Sequence, residues 1–164
     1  MVFNINVPDT VEVVQDRIAA LRKKGKITVG LASGCFDLVH FYHFSFFIRC
    51  RQNCDILIVG VDSDELVRQI KGPTRPIVPD FHRVIMVDAL RPVTFAFVMN
   101  GLDDFGKAAK IFKPDVIFKN DAFMGKEADI VGKKHAKKVM ILHDQIDHSS
   151  TSAIIASLAG RAQK

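Results

Sequence analysis

Residues 27–43 read Ile-Thr-Val-Gly-Leu-Ala-Ser-Gly-Cys-Phe-Asp-Leu-Val-His-Phe-Tyr-His, and this stretch decides the fold. Ile27 to Ala32 is a short β-rich run; it meets Ser33-Gly34, and a helical pattern resumes near Phe41. That order is strand, glycine turn, helix. Upstream, Asp9 followed by Glu12 marks a helix start, with Val11, Val14, Ile18 and Leu21 at helical spacing and Gly25 as the stop. Downstream the alternation continues, with strands expected at 55–61, 94–99, 115–119 and 139–142. Helices are expected at 63–70, 80–90, 102–112, 126–136 and 150–162, and 71–79 reads as an irregular loop. Near-continuous apolar strands between amphipathic helices imply an α/β fold, a Rossmann-like open parallel sheet with helices on both faces.

A chain of 164 residues, 48% hydrophobic, is long enough for one core. The expected organisation is a single domain, with 1–25 an added N-terminal helix and 26–164 the core. The longest apolar stretches, such as Ile56 to Val61, are of strand length, so no membrane span or signal peptide is expected. Three cysteines without a CxxC pair suit a reducing compartment, hence a cytoplasmic protein. The net charge of +5 and pI near 9.2 favour anionic ligands. Basic residues cluster only at Lys23, Lys24 and Lys26 and from Lys133 to Lys138, without interleaved aromatics. This pattern favours phosphate-bearing small molecules over nucleic acid.

Open parallel sheets bind ligands outside the carboxyl ends of their strands. The residues there are polar: Ser33, Gly34, Asp37, His40 and His43 after the first strand, and Asp62 and Ser63 after the second. Later come Lys119, Asn120 and Asp121, and then His143 through Thr151. A helix opening directly after the glycine turn presents free backbone N–H groups to an anion. Two histidines three residues apart share a helix face, where they can hydrogen-bond a polyphosphate and stabilise developing charge. Zinc is the competing reading of the pair, but it wants a third ligand that neither an HExxH pattern nor a cysteine cluster supplies.

The segment Gly34 to His43 resembles the GxFDxxHxGH signature of the cytidylyltransferase-like nucleotidyltransferases. Three further stretches follow in order: Val61 to Glu65 with Lys71 to Pro79 and Arg83, then Pro114 to Lys119, then Ser150 to Ile155. They are similar to the heptose-1-phosphate adenylyltransferase domain, with glycerol-3-phosphate cytidylyltransferase a more distant likeness. The resemblance implies a displacement at the α-phosphorus of an NTP by a phosphorylated sugar or similar acceptor, with release of pyrophosphate. ATP is favoured over CTP as donor, Mg²⁺ arrives on the NTP phosphates without dedicated protein ligands, and a homodimer is expected. In that scheme His40, His43 and Lys71 are catalytic. Gly34, Cys35, Phe36, Tyr42, Lys119, Asn120, Asp121, Ser149, Ser150 and Thr151 bind nucleotide. Asp37, Asp62, Arg75 and Arg83 serve the acceptor.

Three departures from the family pattern stand out. Tyr42 occupies the place of the glycine before the second histidine, where its ring either fills space or stacks on the base. After Lys119, a Lys-Gly-Gly-Asp pattern becomes Lys119-Asn120-Asp121-Ala122, and His148 replaces a small residue before the serine cluster. Two alternatives therefore stay open: a cytidylyltransferase for a polyol phosphate, choline phosphate or phosphonate, and a catalytically silent nucleotide-binding regulator. His82, His135 and His143 read as surface or capping residues. Cys35 is conceivable as a nucleophile but reads better as a lining residue. Phe44, Phe46 and Phe47 read mainly as core, with a dimer surface possible on that helix.

Overall fold

A computed structural model describes residues 10–143, 151 and 154–157. The chain runs α1 (Val11–Lys24), β1 (Val29–Gly34), α2 (Phe41–Arg51), β2 (Ile56–Asp62), α3 (Asp64–Lys71), α4 (Asp80–Asp88), β3 (Phe95–Met99), α5 (Asp104–Phe112), β4 (Val116–Asn120) and β5 (Lys138–Leu142). The five strands form one parallel sheet in the order β3-β2-β1-β4-β5. The chain builds outward from β1 to β3, then crosses back to lay β4 on the other side of β1. That reversal makes the β1/β4 junction the topological switch point. β1 pairs with β2 along its whole length, Val29 to Gly34, but with β4 only at Gly30 and Leu31. Beyond Leu31 the two strands part.

Successive strand residues point to opposite faces, and each face carries its own core. Leu31, Ile58, Phe97 and Ile117 pack with Val14 and Ile18 of α1 and with Phe105 and Phe112 of α5. Their neighbours Ala32, Val59, Ala96 and Phe118 pack with Phe47 and Cys50 of α2 and with Val84 and Val87 of α4. The N-terminal helix is thus part of one core. Arg22 also fastens it, donating to the carbonyls of Phe112 at 2.9 Å and Lys113 at 2.8 Å, groups that the end of α5 leaves open. Mid-strand, Gly30 admits Phe118: a Cβ there would lie 2.5 Å from that ring and 2.8 Å from Cys54 Sγ.

Beyond shifts of one or two residues at element ends, three features differ from expectation. Thr10 caps α1, its hydroxyl accepting from the Val13 N–H at 3.4 Å, whereas Asp9 lies outside the described residues. β1 starts at Val29, because the Thr28 N–H is taken by the Asp55 carboxylate at 2.8 Å while its carbonyl accepts from the N–H groups of Asp55 and of Ile56, the first residue of β2. The helix expected at 126–136 is absent. Three 3₁₀ turns, Asp121–Phe123, Glu127–Asp129 and Lys133–His135, take its place. Gly125 at φ 73° and Gly132 at φ 81° break the helical path, and Gly132 lies so close to α5 that a Cβ would meet that of Ala109 at 2.8 Å. Of the last expected helix, Thr151 and 154–157 are described and helical.

A buried guanidinium frames the site. Arg83 of α4 is 0% exposed and donates from Nε to the Val78 carbonyl at 2.7 Å, from Nη1 to the Cys35 carbonyl, and from Nη2 to Asp64 Oδ1 at 2.8 Å. Asp64 and Asp80 cap each other's helices, with each carboxylate accepting the other's N–H at 3.0 and 2.8 Å. Asp37 receives the N–H groups of Ile77 at 2.7 Å and Val78 at 2.9 Å, together with Arg75 Nε. Burial works against the Asp37 charge, but the Val78 and Ile77 amides and Arg75 outweigh it and hold the carboxyl below its usual range. Arg83, expected at the acceptor, is instead sealed in this frame. Arg83→Met leaves the Val78 and Cys35 carbonyls and Asp64 without their donors and should therefore cost about 3 kcal/mol or more, at about 1–3 kcal/mol for each buried acceptor left unsatisfied. Urea unfolding midpoints with unchanged slope test this, and a loss below about 1 kcal/mol would show that the frame does not depend on the arginine.

Candidate active site

A cavity of about 730 Å³ opens where β1 and β4 part, at the carboxyl ends of β1, β2 and β4. Its floor is the turn after β1. Phe36 sits there at φ 49°, a left-handed conformation uncommon for a bulky residue, and its buried ring packs on His43 at 5.3 Å and Phe47 at 5.1 Å. Gly34 makes room for that ring, since a Cβ would meet it at 3.0 Å. Cys35 is 9% exposed, and burial pushes its thiol pKa up, which suits a lining role and not a nucleophile.

Phe36 thereby buttresses the histidine pair. His40 is the N-cap of α2, and its backbone N–H donates to Nδ1 of His43 at 3.4 Å. With Nδ1 accepting, the neutral His43 ring carries its proton on Nε2. The two rings lie 4.0 Å apart, tilted by 35°. Burial, helped by His40 and Lys71, lowers the His43 pKa to about 4. At neutral pH His43 is accordingly an uncharged hydrogen-bond donor.

Positive charge comes from two lysines. Lys71, exposed at the end of α3, lines one side of the cavity. Lys119, 9% exposed at the end of β4, reaches across the parting strands to Ser33 Oγ at 3.1 Å. Its ammonium lies 4.0 Å from the Phe105 ring centroid and 4.8 Å from that of Phe123. Burial lowers the Lys119 pKa to about 8, against a raising influence from Asp62. The Asp62 carboxyl is raised by its own burial, with Arg83, Lys119 and Lys71 opposing.

The residues singled out from sequence fall into three groups. Gly34, Cys35, Phe36, Asp37, His40, Tyr42, His43, Asp62, Lys71, Lys119, Asn120, Asp121 and Thr151 all border the cavity. Thr151 donates its hydroxyl to the Leu38 carbonyl at 3.4 Å. Arg75 and Arg83 do not border it: Arg75 is turned to Asp37, to which its Nε donates, and Arg83 is taken up by the frame. Ser149, Ser150 and His148 lie outside the described residues.

Several members of the lining had no role assigned from sequence. Ser33 holds Lys119, Ile70 precedes Lys71, and Phe46 lies four residues after Tyr42 on the same helix face, a spacing that helical periodicity makes legible. Phe123 enters through a 3₁₀ turn that no sequence pattern announced. His143, read as a surface residue, places Nδ1 2.9 Å from Asp121 Oδ1 at the cavity edge.

The cytidylyltransferase-like family model matches residues 31–157. Bifunctional protein HldE of a Nitratiruptor species is 37% identical over 135 residues, 82% of this chain and 28% of that protein. The HldE of Helicobacter hepaticus is 38% identical over 136 residues, 83% of this chain and 27% of that protein. The chain thus spans less than a third of the length of these curated relatives. A solved lipopolysaccharide core biosynthesis protein from Thermoplasma volcanium GSS1 superposes with a TM-score of 0.61 at 22% identity, covering 74% of this chain and all of that one, which shows a shared fold. Among the described residues no helix is long and apolar enough to cross a membrane. With most of its length matched by the family model and by relatives above 30% identity, the chain belongs to the cytidylyltransferase-like family of nucleotidyltransferases.

Proposed function

We propose that this chain transfers AMP from ATP to a sugar 1-phosphate of the heptose-1-phosphate type, releasing pyrophosphate. The observation that carries the reading is the convergence of His40, neutral His43, Lys71 and Lys119 on one cavity at the switch point. The choice of ATP and of a heptose-like acceptor is supported by the HldE relatives and by the resemblance of Lys71 to Pro79 to the adenylyltransferase domain. A cytidylyltransferase acting on a polyol phosphate, choline phosphate or phosphonate is the competing enzyme. The same convergence favours catalysis over silent binding.

An oxygen of the acceptor's phosphate attacks the α-phosphorus; the new P–O bond forms as the α–β bridging bond breaks, and pyrophosphate leaves with the bond's electron pair. No side chain takes up the AMP group, so the protein's task is positioning and charge stabilisation. The α2 N-terminus and the His43 Nε2–H donate to phosphate oxygens without adding a fixed cation. Lys71 and Lys119 neutralise the crowded phosphates from the two sides of the cavity, and Thr151 stands beside them. The lining also suits Mg²⁺ carried on the NTP: Asp62 and Asp121 are oxygen donors of the kind it takes singly while keeping its waters. Bound there, the ion would spread the polyphosphate charge.

The expected homodimer is supported by Phe41, Phe44 and Ile48, an exposed apolar stripe at i, i+3 and i+7 along α2. Phe41→Lys should then shift the sedimentation coefficient from dimer to monomer, and an unchanged coefficient would remove this face from consideration.

Pyrophosphate release should require ATP together with a sugar 1-phosphate. His43→Ala should lower kcat by about 100-fold or more, the scale of losing one preorganised donor. Assaying the four NTPs against sugar, polyol and choline phosphates checks this; turnover with CTP alone would move the assignment to the cytidylyltransferase. The pH dependence has a defined sign. Lys119 loses its proton as pH rises through about 8, so ATP affinity should weaken above that pH and stay level just below it. Lys119→Met should bind ATP more weakly at pH 7 and lack the alkaline decline in equilibrium dialysis.

A further inference from the structure

Phosphates and a nucleobase ask different things of a cavity. Phosphates take cations and N–H donors, whereas a base takes flat apolar surface. Here the donors and cations are His40, His43, Lys71 and Lys119, and the large apolar lining residues are Tyr42, Phe46, Ile70 and Phe123, together with Phe36, whose ring is buried in the floor beneath His43. Phe123 already faces the Lys119 ammonium at 4.8 Å. Tyr42 and Phe46, at i and i+4 on α2, form an aromatic strip along one wall.

The strip is pre-set. Phe46 is backed by the fully buried Phe47, ring centroids 5.9 Å apart. Tyr42 stands edge-on to His40 at 5.8 Å and 77°. It is half-buried, and among the described residues its phenol makes no hydrogen bond, so packing and not a polar tie decides where the ring lies. Resting on the nucleotidyltransferase reading of this cavity, we propose that the nucleobase of the donor packs against the Tyr42–Phe46 wall of α2. Tyr42 then acts as a gripping surface where the family signature has bare glycine backbone.

The composition supplies a direct test, because Tyr42 is the sole tyrosine and the chain has no tryptophan. Protein labelled with ¹³C-tyrosine gives one set of ring signals, all from the cavity. ATP should move those signals upfield by ring current, and inorganic tripolyphosphate, which has no base, should not. Equilibrium dialysis in parallel should show Tyr42→Leu, which keeps helix propensity but loses the ring, binding ATP roughly tenfold more weakly. Its tripolyphosphate affinity should stay at the wild-type level, and Tyr42→Phe should restore ATP affinity. If ATP binds in dialysis while the tyrosine signals stay put, or if Tyr42→Leu binds ATP as tightly as wild type, the wall does not hold the base. If dialysis detects no NTP binding at all, the nucleotidyltransferase reading falls and this inference with it.

Discussion

The structure turns on the guanidinium of Arg83. A fully buried cation is tolerable only when its N–H groups are used, and this one uses them to tie together three pieces of chain far apart in sequence. The Cys35 carbonyl belongs to the turn after β1, Val78 to the loop before α4, and Asp64 to the first turn of α3. Through them the arginine sets the distance between the floor of the cavity and the loop beside Lys71. Asp37 does the complementary job from the floor, gathering the Ile77 and Val78 amides and Arg75. The frame of the site is therefore ionic and buried.

Burial also governs the chemistry inside. Desolvation strips His43 of its proton and loosens that of Lys119, so the cavity offers a neutral donor and a cation that is marginal near pH 8. Aromatic faces from Phe105 and Phe123 replace part of the water that Lys119 gives up. An arriving polyphosphate reverses the balance, because its charge favours the protonated lysine that the low-dielectric surroundings resist.

Much of this was legible in the chain itself. Alternation of apolar runs with helical patterns led to the parallel sheet, and the rule that ligands meet strand ends led from there to His40, His43 and Lys119. Arg83 misled because an arginine three residues into a helix beside a proline-rich loop reads the same whether it faces ligand or core; only three-dimensional carbonyl placement separates the two. The 126–136 segment misled because its charged residues are good helix formers, while the contact of Gly132 with α5 is a tertiary constraint with no local signature. Phe123 was unreadable for the same reason, since a 3₁₀ turn has no period to count.

The sheet has a weak seam. β3, β2 and β1 are zipped along their lengths, as are β4 and β5, but the ladder between the halves runs over two positions, Gly30 with Val116 and Leu31 with Ile117, extended at its start by the Asp115 N–H donating to the Val29 carbonyl at 2.7 Å. Lys119 reaching to Ser33 is a side-chain stitch beyond the last backbone bond. On the proposed function, a nucleotide lodged at that opening would touch both halves at once and so become a structural member of the sheet. Its binding energy is then felt as mechanical cohesion between two blocks that the backbone alone holds loosely.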